Sequence, residues 1–228
     1  MKQLFLSLVF VVAASASAVY SQEKKHEITE KQSEAVKPSP AMQTVALAGQ
    51  LAKYGYENNS AGALIQAAEM YLSVGLTEFK PDSMSQGKGE ETQKDEYVSH
   101  DPKQILADAR TLADGDQVLL SMIEKLETTQ NRGAVGGPKY DVHKVNARST
   151  DTFIIIFRAN ERASVIVSGD GDTDLDLYVY DENGNLIDYD EDYSDDCIVN
   201  WVPEWTGKFT INVVNRGNVY NRYAIGTN

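Results

Sequence analysis

The chain has 228 residues, of which 42% are hydrophobic, enough for one or two domains with packed cores. Its formal charge is −13, which argues against a nucleic-acid or anionic-membrane partner. The acidity is local: 12 Asp or Glu residues and no Lys or Arg lie between Asp170 and Asp196, and the rest of the chain is close to balance with 22 acids and 21 bases.

The chain starts with Lys2, an apolar run over Leu4–Ala14 and the small-residue site Ala16-Ser17-Ala18. That is the pattern of a secretory signal peptide over residues 1–18, so export to the periplasm or the extracellular space is expected. The apolar run is short for a membrane span. No second long run follows, so no transmembrane segment is expected, and no Cys near the cleavage site could carry a lipid anchor. Residues 19–40 are polar and end in two prolines, which reads as a flexible leader.

Residues 41–130 read as helical. Leu47, Leu51 and Tyr54, then Leu64, Ala68 and Tyr71, fall at helical spacing, with Asn59 or Ser60 as a cap between them. The pair resembles a tetratricopeptide-type hairpin in the spacing of Leu47, Tyr54 and Ala63, but only one copy is visible. Residues 76–100 are charged and aperiodic and are expected to form a mobile loop. Two more helices follow. Asp101, Pro102 and Gln104 suggest a capping box for the first, with Ile105, Ala109 and Leu112 as its stripe. Asp116 caps the second, whose stripe is Leu119, Met122, Ile123 and Leu126. A small helical bundle is the expectation.

Residues 131–140 have the composition of a linker. Beyond Asp141 the apolar period becomes two. Seven strands are expected, over 152–157, 163–168, 174–181, 185–189, 197–202, 208–214 and 220–226, separated by Asn-Gly, Pro and Gly turns. The fold class is therefore α+β in two parts, a helical bundle followed by an antiparallel β-sandwich over 141–228. Cys197, the only cysteine, reads as a small buried apolar residue.

The strand "DLDLYVYD" puts Leu175, Leu177 and Val179 on the core face and Asp174, Asp176, Tyr178 and Tyr180 on the other. A three-residue loop, Glu182-Asn183-Gly184 with Gly184 left-handed, would pair Val179 with Ile187, Tyr178 with Asp188 and Asp176 with Asp190, with Ile187 and Tyr189 inward. Like charges so placed repel by about 0.6–0.8 kcal/mol per pair in water and about 2–3 kcal/mol at an effective dielectric of 20. A captured divalent cation would reverse that sign. Calcium, which takes six to eight oxygens, suits Asp172, Asp174, Asp176, Asp188, Asp190 and Asp192 as candidate metal ligands. Zinc does not suit, because the three histidines are scattered and Cys197 is alone. Asp170-x-Asp-x-Asp174 has the start of an EF-hand loop, but Leu175 stands where that loop needs Gly. The competing view is an acidic face that is merely solvated.

"SGDGDTDLDLYVYDENGNLI", "WVPEWTGKFTINVVNRG" and "YNRYAIG" together resemble the bacterial pre-peptidase C-terminal domain, a small β-sandwich appended to secreted peptidases and related to calcium-binding collagen-binding domains. The resemblance covers roughly residues 141–228 and implies a non-catalytic accessory role, often with calcium. That family's acidic segment before the first strand is replaced here by "GGPKYDVHKV", which is not acidic. The function expected is an exported accessory or binding protein, not an enzyme, with a glycan or envelope protein as partner. Tyr178, Tyr180 and Trp205 are the candidate contact residues, and Trp201 is read as core. The alternatives are a structural envelope partner, or a hydrolase using paired carboxylates; no HExxH or GxSxG motif supports the latter.

Overall fold

The computed structural model describes residues 36–90, 92, 94, 98–129 and 136–228. The expected signal peptide, most of the expected leader and half of the expected linker lie outside the described residues. Four helices, α1 (Pro40–Glu57), α2 (Ala61–Ser73), α3 (Pro102–Leu112) and α4 (Gln117–Thr129), pack as two consecutive hairpins. No helix among the described residues is long and apolar enough to cross a membrane.

Local chemistry sets the helix ends. Ser39 caps α1 through Met42 N, with Pro40 in the first turn, and Ser60 caps α2 through Ala63 N. Asp101 Oδ1 accepts from Lys103 N at 2.9 Å, and Asp116 Oδ1 accepts from Val118 N at 2.8 Å. The expected capping box does not close. Gln104 donates to Asp108 instead, and the Asp101 N–H is taken by Ser99 Oγ.

The stripe expected on α1 is also corrected. Leu47 and Tyr54 are about half exposed, at 54% and 55%, and the buried positions are Met42, Val45, Ala48, Gly49, Ala52 and Gly55. Helix α1 lies between α2 and a sheet, and small residues let both neighbours approach. A Cβ on Gly49 would stand 2.4 Å from Ser168 Oγ, and one on Gly55 would stand 2.5 Å from Leu64.

Ten strands form two five-stranded sheets. They are β1 (Thr77–Glu78), β2 (Ser83–Ser85), β3 (Lys139–Val145), β4 (Thr150–Phe157), β5 (Ala163–Ser168), β6 (Leu175–Tyr180), β7 (Leu186–Asp190), β8 (Asp196–Trp201), β9 (Gly207–Asn215) and β10 (Asn221–Thr227). Sheet A runs β1-β3-β10-β5-β8 and sheet B runs β2-β4-β9-β6-β7. The seven expected strands are present as β4 to β10. Three more were not anticipated: β1 and β2 come from the stretch expected to be a loop, and β3 begins at the end of the expected linker. The two short strands are edges of opposite sheets, so residues 77–85 cross from one sheet to the other.

Between the sheets lies a core that includes Phe153, Phe157, Val165, Leu175, Leu177, Val179, Val199, Trp201, Phe209, Ile211 and Ile225. Cys197 is in it, with its thiol donating to Leu175 O. Helix α1 covers the centre of the outer face of sheet A, at β5 and β10, so β5 is buried along its whole length and reads "ASVIVS" rather than alternating. The molecule is thus three layers, helices on sheet A on sheet B.

The β6–β7 register differs from expectation. Gly184 is left-handed (φ 81°) as required, but a bulge between Val179 and Tyr180 shifts the ladder. Tyr178 pairs with Tyr189, Val179 with Asp188 and Leu177 with Asp190. Ile187 is buried, but Tyr189 now faces solvent and is 50% exposed. Asp188 and Asp190 turn to the other side, which they can do because β7 is an edge strand.

Candidate functional site

The acidic loops gather at one end of the sandwich, beside the C-terminal half of α1. Most of the carboxylates have a specific partner. Lys53 of α1 reaches Asp195 Oδ1 at 2.9 Å and Asp196 Oδ2 at 2.5 Å, with only 12% of its side chain exposed. Burial works against its charge, but Asp195 and Asp196 outweigh that and lift its pKa above the ordinary lysine value. Lys94, in the segment between β2 and α3, bridges Asp170 and Asp172, at 2.8 Å for Asp172. Arg216, in the β9–β10 loop, donates through Nε to Asp176 Oδ2 at 2.5 Å and through its guanidinium to Tyr178 Oη at 3.1 Å.

Backbone and neutral donors fill further positions, and Asp170 Oδ1 stays without a partner. Asp195 Oδ2 accepts from Gly171 N and Asn221 Nδ2, Asp196 Oδ1 from Ser168 Oγ, and Asp170 Oδ2 from Arg222 N. Asp170 is nearly buried, and burial pushes its carboxyl up to about 7 although Lys94 and the Arg222 N–H pull it down.

The six candidate metal ligands take different partners. Asp172 belongs to Lys94. Asp188 accepts from the backbone N–H of Tyr189 and Asn200, and Asp190 accepts from Ile198 N at 2.8 Å. Ile198 and Asn200 belong to β8, the edge of sheet A, so these carboxylates cover a strand edge that would otherwise invite pairing with another chain. Asp192 accepts from Ser194 N in its own turn. Asp174, Asp176, Asp190 and Asp192 do share a corner. Desolvation raises the carboxyl of Asp174, and Asp176, Asp192 and Asp195 raise it further; desolvation, Asp192 and Asp176 raise that of Asp190. Asp174 Oδ1 is buried without a hydrogen-bond partner. Even so, among the described residues no three His, Cys, Asp or Glu side chains converge so as to hold a metal ion. Most of the carboxylates are arranged around ammonium, guanidinium and N–H groups, and Asp174 Oδ1 is left without one.

Between α1 and these loops lies an open cleft of about 600 Å³, lined by Lys53, Tyr54, Glu57, Asp172, Asp174 and Tyr193 among others. Deeper in, His100 ties the helical layer to the β5–β6 loop. Its ring is fully buried, with Nε2 at 2.7 Å from Gly169 O and Nδ1 at 3.3 Å from the Tyr71 hydroxyl. A carbonyl only accepts, so Nε2 carries the proton and Nδ1 accepts from Tyr71. Burial depresses the imidazole pKa to about 4.

The aromatic candidates separate. Tyr178 and Tyr180 lie on the outer face of sheet B, 6.5 Å apart, and Tyr189 joins them 6.1 Å from Tyr178. Trp205 lies in the β8–β9 turn and donates to Glu182. Trp201 is fully buried against Phe157 and Phe209. Sequence reasoning missed Lys53, Lys94, His100 and Arg216. Each is far along the chain from its partner, and no local spacing marks it.

No protein-family model matches the chain, and no curated protein does. Among solved structures, the β-sandwich part matches the pre-peptidase C-terminal domain of a collagenase from Bacillus anthracis. That match has 14% identity and a TM-score of 0.28, over 39% of this chain and 88% of that one. The SPBc2 prophage-derived protein YomS is also similar, with 14% identity and a TM-score of 0.26, over 42% of this chain and 98% of that one.

Proposed function

We propose that this protein is an exported, non-catalytic accessory module whose acidic loops are neutralised by its own cations. The observation that carries this is the engagement of the acidic side chains. Lys53, Lys94 and Arg216 each bind a carboxylate with 2–6% exposure, and Asp188 and Asp190 are committed to strand-edge N–H groups. Carboxylates held this way support folding. A general acid or nucleophile needs a carboxyl that faces substrate. The N-terminal signal pattern supports export, and the Asp174–Tyr178 motif resemblance supports an accessory role.

The full chain tests this. It is expected to show no turnover on model glycosides or peptides, and Asp176→Asn and Asp195→Asn are expected to lower its melting temperature. Turnover by the wild type that vanishes in Asp176→Asn while the melting temperature holds would contradict the reading. The calcium reading is favoured by one observation, the unpartnered Asp174 Oδ1 in the corner shared with Asp176, Asp190 and Asp192. It predicts stabilisation by calcium, where internal neutralisation predicts none.

A further inference from the structure

The outer face of sheet B carries two cross-strand rows without a charge. Partners in a ladder share a face, and the register places Ser85, Thr152, Asn212, Tyr178 and Tyr189 in one row. Ser83, Ile154, Thr210, Tyr180 and Leu186 form the other. With strands about 4.8 Å apart, four gaps give a strip about 19 Å long. Hydroxyl and amide groups with Ile154 occupy the β2, β4 and β9 side, and three tyrosines with Leu186 the β6 and β7 side. Thr152 Oγ1 donates to Asn212 Oδ1 at 2.9 Å, which fixes the amide. The tyrosine rings are near parallel, at 23° and 20° to one another. Charges occur at the borders, as the pairs Lys208 with Asp82 and Arg216 with Asp176, and as Glu191, which accepts from the Tyr178 hydroxyl at 2.6 Å.

We infer that this strip is a platform for a neutral polysaccharide laid across the strands. The inference rests on the accessory-module reading and names its ligand class. Charge selects the occupant. An anionic polymer is repelled by a net charge of −13, and a cationic one is drawn to the acidic loops rather than to this face. What suits an uncharged strip of hydroxyls, an amide and aromatic rings is a ligand with many hydroxyls and apolar C–H faces. Tyrosine adds rigid contact area at small conformational cost, since only two torsions are fixed.

Affinity electrophoresis of the full chain tests it, in gels containing hydroxyethyl cellulose, glucomannan or starch, with pectin as the anionic comparison. Retardation is expected in at least one neutral gel and not in pectin. It is expected to fall at least tenfold in apparent affinity in Tyr180→Ala and Tyr189→Ala, to survive in Tyr189→Phe, and to be unchanged in Tyr193→Ala, which lies off the strip. Melting curves confirm that each variant is folded. No retardation in any neutral gel, equal retardation in pectin, or retardation that survives both alanine variants would overturn the platform. None of these outcomes bears on turnover, so the accessory-module reading stands or falls separately.

Discussion

The outer faces of the two sheets contrast in one molecule. The centre of sheet A's outer face lies under α1, and its strand β5 is buried at every position. Sheet B's outer face meets water, and β9 alternates between buried and half-buried or exposed residues over its length. The same backbone therefore follows two sequence rules, and the helical layer makes the difference. That layer also supplies Lys53, while the segment leading into it supplies Lys94 and His100, and these three groups hold the acidic loops. The helices are thus a brace for the sandwich, joined to it by charge and by close backbone approach at Gly49.

The contrast can be broken most severely at Ile166, which is 2% exposed and faces α1 at the recess shared with Ala46 and Gln50. Ile166→Asp should cost at least about 4 kcal/mol in urea unfolding, from lost burial plus an unpaired buried charge. Next is Lys53→Met, which leaves Asp195 and Asp196 without their cation. A loss of about 3 kcal/mol is expected, because removing one partner of a buried pair strands the other. The cost should shrink in the double variant Lys53→Met, Asp195→Asn.

The His100 junction sharpens the contrast through pH. Its folded pKa of about 4 lies below the ordinary 6.5, so the unfolded chain binds the extra proton between those values. The stability it contributes is complete above pH 6.5 and is lost as pH falls towards 4, by about 1.4 kcal/mol per unit. Asp170, raised to about 7, tilts the profile the other way between about pH 3.8 and 7. The histidine is therefore read as the difference between wild type and His100→Gln, and that difference should narrow steadily as the pH is lowered from 6.5 to 4. The smallest effect belongs to the open face: Thr210→Asp should change stability by no more than about 0.5 kcal/mol.

Legibility followed the same division. Strands β4 to β6 and β8 to β10 could be read because each buries one or both faces against a large core, and the helix caps at Ser60, Asp101 and Asp116 could be read because they act within three residues. Strands β1 and β2 have two and three residues, too few to show a period. The α1 stripe was misplaced because close packing selected Ala and Gly over Leu47 and Tyr54. The β6–β7 register was missed because the extra residue, Ile187, carries no local signal. The carboxylates were identified as crowded, but their neutralisers lie up to 143 residues away, where only tertiary structure brings them near.

Thermal melting of the full chain at pH 7.5, in EGTA and in millimolar calcium, measures most directly which cations neutralise the acidic loops. A melting temperature that stays within about 1 °C between the two, and that drops in Lys53→Met in both, is the result expected when the protein carries its own cations. A rise of several degrees with calcium, reversed by EGTA and lost in Asp174→Asn, would show that an ion does the work assigned here to Lys53, Lys94 and Arg216.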